Sequence, residues 1–407
     1  MKSANEQVKT LSVSPVELKQ AKTQEDEFRT AEVITVAAAH GAHDTYFSYL
    51  PTILPLLIKN LGLNTTQAGL LSAFTQFPNL VQPLIGHLAD RKNLKMLVIL
   101  APTLSGFLIT MVGIAPTFGV AAMLLLLAGF STAGFHSIAP AMIGNRSGKK
   151  VGRGMGFFMV GGELGFGIGP LVVVGVIGTL GLSGLPWLMT FGMLSSVILY
   201  LRLKNVSTVR PTQTEASLPL RQALVEMRSL MLPIGAIIFT TGFLNAHVVN
   251  YLPTFMSLEG SAFAVAGASL AIVELSGTIG VFLMSMYSDR LGHRNIAWIG
   301  TLASGFFALG FLSARGWLQM LMLVGIGMTA FVANPAYLAL IQTHFSKNRA
   351  LANGVYMASS FILRSIVVVL VGFLSDQFGM RTVFAASAVL ALISVPLNFL
   401  LPRRQVF

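Results

Sequence analysis

Tyr49-Leu50-Pro51-Thr52 stands inside one apolar run of the chain, and Tyr251-Leu252-Pro253-Thr254 stands inside another, 202 residues later. Asp90-Arg91, just after the next apolar run, recurs as Asp289-Arg290 at an offset of 199. Two offsets so close, at matching places in the hydropathy pattern, mark an internal duplication. Each apolar run approaches the ~20 residues that cross a hydrocarbon core as a helix. Outward from these landmarks the sequence contains twelve such runs: 33 to 58, 66 to 89, 94 to 115, 118 to 143, 154 to 178, 185 to 203, 230 to 256, 262 to 287, 295 to 314, 317 to 343, 351 to 374 and 380 to 401. The pattern predicts an all-α membrane protein of twelve transmembrane helices in two pseudo-symmetric six-helix bundles.

Composition agrees. Of 407 residues, 54% are hydrophobic and 10% charged, against ~25% charged in soluble domains, and mean hydropathy is +0.73. The absence of cysteine excludes disulfide scaffolds, thiol catalysis and zinc-thiolate sites. Polarity divides the chain into an N-terminal tail (1–30), an N-terminal six-helix domain (31–203), a linker with Pro211 and Pro219 (204–229), a C-terminal six-helix domain (230–401) and a short C-terminal tail (402–407). The first of these reads as a cytoplasmic tail rather than a cleavable signal peptide.

The net charge of +12 would suit a nucleic-acid binder, but the distribution of Lys and Arg argues for a topology signal. Twenty-three lie on the side of the termini and three, Lys59, Arg315 and Arg381, on the other, while Arg364 falls inside a span. By the positive-inside rule both termini and the linker are cytoplasmic. No nucleic-acid partner is expected; the partners are the lipid bilayer and a small-molecule substrate, and the chain reads as a monomer.

Gly86-His87-Leu88-Ala89-Asp90-Arg91 with Lys95, and Asp289-Arg290-Leu291-Gly292-His293-Arg294, resemble the cytoplasmic loop signature of the major facilitator superfamily. The resemblance implies the twelve-helix fold, rocking of two halves about a central site, and a cytoplasmic gate at Asp90, Arg91, Asp289 and Arg290. Within that superfamily three stretches resemble the fosmidomycin-resistance family of bacterial exporters. These are His40-Gly41-Ala42-His43-Asp44 followed by Leu50-Pro51, then Phe135-His136, and Gly161-Gly162-Glu163-Leu164-Gly165 leading to Gly169-Pro170. Ser137, Ile138 and Glu163 depart from that family's pattern, which leaves the substrate open.

The same residues stand out on physical grounds. An ionisable side chain near mid-bilayer costs about 2.5 to 3.5 kcal/mol on insertion scales and is a functional candidate by default. The apolar runs contain His40, His43, Asp44, His136, Glu163, His247, Glu274 and Arg364. His40, His43, Asp44 and Phe47 follow i, i+3, i+4, i+7 spacing and share one helix face. Imidazole beside carboxylate can take up and release a proton near neutral pH. Glu163 and Glu274 have no basic neighbour within a helical turn, so each is a candidate proton carrier. Arg364 cannot shed its charge and needs an anionic partner: Glu274, Glu163 or an anionic substrate.

A metal reading of His40, His43, Asp44 and His136 lacks a second ligand pair at firm spacing and is set aside; no metal and no cofactor beyond a proton gradient is expected. An enzyme is disfavoured, because no nucleophile motif or large extramembrane domain accompanies the histidines. The expectation is a secondary transporter in a bacterial inner membrane, moving a small polar or anionic compound by proton-coupled efflux, an antiporter of drug-resistance type. Its alternative is an importer or exporter of a metabolite or metal chelate.

Overall fold

The computed structural model describes residues 28–148, 150–204, 220–345 and 349–402. Span one is α1 (Thr30–Phe47) with α2 (Tyr49–Leu61); span two is α3 (Thr65–Gln76), a 3-10 turn at Phe77–Val81 and α4 (Gln82–Arg91). Spans three to five are α5 (Lys95–Val112), α6 (Phe118–Arg146) and α7 (Val151–Leu180), and a 3-10 turn at Leu182–Leu188 leads into α8 (Met189–Leu203) as span six. Span seven is α9 (Leu220–Ala246), a π turn at His247–Tyr251 and α10 (Leu252–Leu258). Spans eight and nine are α11 (Phe263–Leu291) and α12 (His293–Ser313); span ten is α13 (Trp317–Ala330) with α14 (Ala333–His344). Span eleven is α15 (Arg349–Phe378), and span twelve is α16 (Met380–Ile393) with a 3-10 turn at Val395–Leu400.

Among the described residues ten stretches are long and apolar enough to cross a membrane; spans one and two, each interrupted, complete the twelve. The repeated Tyr-Leu-Pro-Thr explains two interruptions. Pro51 and Pro253 have no N–H for the carbonyls of Phe47 and Val249, and the helix breaks at Ser48 in one half and becomes a π turn at His247–Tyr251 in the other. Pro335 likewise follows the break after Ala330. The helix of span seven starts at Leu220, inside the stretch read as linker, because Leu220 to Met227 are good helix formers that extend the span.

The halves meet at the end remote from the termini, where spans two and eleven, five and eight, and one and seven pack together. The buried Tyr251 hydroxyl lies between the carbonyls of Thr65 (3.1 Å) and Val368 (2.9 Å). It fits only because Gly69 has no Cβ, which would come within 2.5 Å of it. Asp376 of α15 caps the start of α3, accepting the backbone N–H of Thr65 (2.8 Å) and Thr66 (2.9 Å) and both hydroxyls. α4, the continuation of span two towards the other end, packs chiefly on α6 of its own half. The cleft between the halves is therefore closed at the remote end and parts towards the termini.

Candidate functional site

Span five is held against span one by glycines. Gly161, Gly165 and Gly169, four residues apart, let the backbone of α7 approach the carbonyls of Ala37, Gly41 and Thr45, where a Cβ would collide. The same approach places Gly162 under the His40 ring, with a Cβ position only 2.5 Å from Cε1. His40 stacks on Phe158 with ring centroids 3.9 Å apart, and His43 stacks on Phe135 at 4.7 Å. Aromatic faces thus clamp both imidazoles of span one.

Hydrogen bonds decide what the free ring nitrogens can do. His40 Nδ1 lies 2.7 Å from the Phe158 carbonyl and His136 Nδ1 lies 3.1 Å from the Thr132 carbonyl. A carbonyl only accepts, so both Nδ1 atoms carry hydrogen. The two Nε2 atoms then face each other at 3.1 Å. His40 Nε2 is 3.0 Å from Asp44 Oδ2, and His136 Nε2 is 3.7 Å from Asp44 Oδ1. Two imidazole lone pairs and a carboxylate converging in this way repel one another unless one positive charge joins them. A proton on either Nε2 supplies that charge. The three donor atoms lie within 4.8 Å of one another, a spacing that also admits a divalent cation, and an outward Nδ1–H bond to a carbonyl is compatible with either. Asp44 is 5% exposed, whereas the His136 side chain is 28% exposed and forms the accessible edge of the cluster.

His43 shares the helix face but sits deeper. It is fully enclosed, with Ser105 Oγ 3.1 Å from Nδ1 and Thr132 Oγ1 3.3 Å from Nε2, and its Nε2 lies 4.0 Å from Asp44 Oδ1. Ser105 continues through Ser131 to the Ala101 carbonyl. Glu163 is half-buried on α7 and lies within electrostatic reach of His40, Asp44 and, across the interface between halves, Glu274. Glu274 is buried on α11, one residue before Leu275, which packs on Gly167 of α7.

The remaining candidates lie apart from this cluster. His247 is enclosed in the C-terminal half, its Nδ1 3.0 Å from the Phe243 carbonyl and its ring 4.7 Å from that of Phe384; among the described residues Nε2 has no hydrogen-bond partner. Arg364 donates to Asn334 Oδ1 at 3.1 Å, and no ion pair among the described residues joins it to Glu274 or Glu163. Together with Asn245, Thr301 and Ser304 it lines a cavity of about 50 Å³. Sequence reasoning did not single out Phe158, Ser105, Thr132, Asn245 or Asn334, since neutral residues carry no insertion-cost signal. Of the gate residues, the side chains of Asp90, Arg91 and Asp289 lie outside the described residues, and Arg290 is exposed.

A family model described as Major Facilitator Superfamily matches residues 36–362 and 278–406. The chain is 22% identical over 383 residues to the fosmidomycin resistance protein of Escherichia coli (strain K12), covering 91% of this chain and 92% of that one. It is 24% identical over 382 residues to the uncharacterized MFS-type transporter YfnC of Bacillus subtilis (strain 168), covering 92% and 93%. Among solved structures it is similar to a bacterial homolog of the human lysosomal transporter Spinster in an inward-facing, occupied conformation, with TM-score 0.73, 16% identity and 92% and 96% coverage. It is likewise similar to a D-xylose-proton symporter, with TM-score 0.72, 15% identity and 92% and 98% coverage. At these identities the structures speak for the fold alone.

Proposed function

The chain belongs to the major facilitator superfamily, and we propose that within it the protein exports a small polar or anionic compound across a bacterial inner membrane in exchange for protons. It is a multi-pass membrane transporter by fold and family; direction, coupling and cargo are the proposed part. The observation that carries the coupling is the convergence of His40 Nε2, His136 Nε2 and Asp44, which calls for one cation in a site with an accessible edge at His136.

In this reading the basic end of the bundle is cytoplasmic, and the present conformation is open to the cytoplasm. The cluster releases its proton there through His136 as cargo enters the cleft. Rocking of the halves then opens the remote end, cargo leaves, and a proton from outside rejoins the lone pairs. Glu163 and Glu274, carried by spans five and eight where the halves touch, are proposed as the second protonation site, sensitive to how far the halves have moved.

Everted membrane vesicles acidified by respiration test this. Fosmidomycin is the first probe, followed by a panel of small polar and anionic compounds. A transported compound is expected to collapse the pH gradient, and an uncoupler to abolish its accumulation. Accumulation that is indifferent to uncoupler but lost on chelation would replace the proton by a metal ion and overturn the proposal.

A further inference from the structure

The duplication allows the interior of one half to be read against that of the other. The offset of 202 that aligns Tyr49 with Tyr251 puts His40 on Gly242, His43 on Asn245 and Asp44 on Ala246. Ser105-Gly106-Phe107 of span three recurs as Ser304-Gly305-Phe306 in span nine at the other offset, 199. Gly156-Phe157-Phe158-Met159 of span five aligns with Gly354-Val355-Tyr356-Met357 of span eleven. The C-terminal half therefore keeps the scaffold of the imidazole cluster without its rings and carboxylate, and the cavity of about 50 Å³ lies there, with Gly242, Asn245 and Ser304 in its wall.

The lining has the chemistry of an anion site. Arg364 has five N–H groups, of which, among the described residues, one donates to Asn334. The Asn245 side chain makes no hydrogen bond among those of the described residues, and Asn334 keeps its amide N–H groups. Thr301 and Ser304 already donate to the carbonyls of Ala297 and Thr301. Among the described residues no Asp or Glu lines the cavity. N–H donors thus dominate around one uncompensated guanidinium inside a membrane bundle, where charge calls for a partner. Taking ~10–15 Å³ per water-sized group, the space admits roughly three to five such groups, the size of a carboxylate or a tetrahedral oxyanion.

We propose that this cavity is a small-oxyanion subsite, in which Arg364 forks onto a carboxylate or phosphate-type group and the amides of Asn245 and Asn334 complete its shell. The subsite rests on the reading of the chain as a transporter only in that it would seat the anionic part of the cargo; anion binding itself needs no transport. The half with the imidazole cluster would then handle the proton, and the half with the cavity the cargo.

The test is equilibrium binding to the purified full-length protein in detergent, by calorimetry and thermal shift, with inorganic phosphate and acetate against chloride of matched ionic strength. Saturable binding of phosphate or acetate is expected, weakened at least tenfold by Arg364→Gln and less by Arg364→Lys, which keeps the charge without the fork. Asn245→Leu fills the cavity while leaving the Arg, and is expected to abolish binding; it serves if Arg364→Gln fails to fold. Competition by succinate or glycerol phosphate marks the head group of an organic cargo, whereas phosphate binding without such competition marks a free inorganic anion held at the same subsite. No saturable binding beyond chloride, or equal affinity in the Arg364→Gln and Asn245→Leu proteins, overturns the subsite. If binding behaves as expected but no compound exchanges with protons in vesicles, the subsite stands and the exporter reading fails.

Discussion

Two interiors built on one repeated scaffold have become chemically opposite. In the N-terminal half the space between spans one, three, four and five is packed with imidazole, phenyl and carboxylate groups that satisfy or confront one another at 2.7 to 4.0 Å. In the C-terminal half the equivalent space is a cavity with a lone guanidinium bound to an amide. The proline-induced breaks in spans one and seven and the Ser-Gly-Phe stretches in spans three and nine are common to both. Duplication thus preserves backbone devices while side chains diverge, leaving two imidazoles beside a carboxylate in one half and a guanidinium beside an amide in the other.

The most severe expected way to break that contrast is Asp44→Asn. It removes the only carboxylate in direct reach of His40 and His136 among the described residues, so the two Nε2 atoms no longer hold their cation by charge. Gradient-driven accumulation in everted vesicles is expected to fall to the level of empty membranes, while the amount of folded protein by size-exclusion chromatography stays near normal. Active accumulation with an unchanged pH profile would make the cluster structural.

Next in size is a matched pair of glycine substitutions. At Gly162 a Cβ would sit 2.5 Å from the His40 ring, which cannot yield because Phe158 stacks on its face. Overpacking of this kind costs about 1–3 kcal/mol, and Gly162→Ala is expected to lower both melting temperature and transport. Gly242, the counterpart of His40, would meet Val367 at an ordinary 3.5 Å. Gly242→Ala is expected to be neutral or to stabilise by about 0.5–1 kcal/mol through helix propensity. Equal behaviour of the two variants in a thermal melt would dissolve the asymmetry between halves.

How much of this could be read from the residues follows from where each signal resides. The spans, the duplication and the shared face of His40, His43 and Asp44 are periodicities within one segment, so they are legible before any folding is known. Glycine spacing at Gly161, Gly165 and Gly169 is equally visible, but that Gly162 lies beneath His40 requires the register of span five on span one. The tautomer of His40 depends on a carbonyl 118 residues away. A cavity is a property of what several spans leave unfilled, and no single stretch carries it. Insertion cost flagged Arg364 but favoured a charged partner, whereas the structure supplies the neutral Asn334.

A smaller effect concerns the closure at which the halves meet. Asp376→Asn leaves one acceptor oxygen where the carboxylate serves two N–H groups and two hydroxyls at the start of α3. Loss of about 1 kcal/mol from this cap corresponds to a roughly fivefold shift towards opening at that end. The chain has no native cysteine, so a single cysteine in place of the buried Ser72, one turn beyond Gly69 on α3, reports the shift as faster labelling by a membrane-impermeant maleimide in intact cells. An unchanged rate would assign the closure to the packing of spans five and eight instead.

The smallest expected effect is a coupling that should be absent. Arg364 and Glu274 lie in the same half, and a buried ion pair between them would make each single substitution strongly destabilising and the double substitution milder than their sum. The structure gives Arg364 to Asn334, while Glu274 is buried on α11 beside Leu275, which packs on span five. Residues without a shared partner add within about 0.3–0.5 kcal/mol. Arg364→Gln and Glu274→Gln are therefore expected to be additive in thermal stability, with no rescue of one by the other, whereas Arg364→Gln and Asn334→Leu should be coupled. Rescue of Arg364→Gln by Glu274→Gln would mean that the guanidinium swings to the carboxylate during the cycle, and the C-terminal half would then hold its own internal counter-ion rather than a seat for an anionic guest.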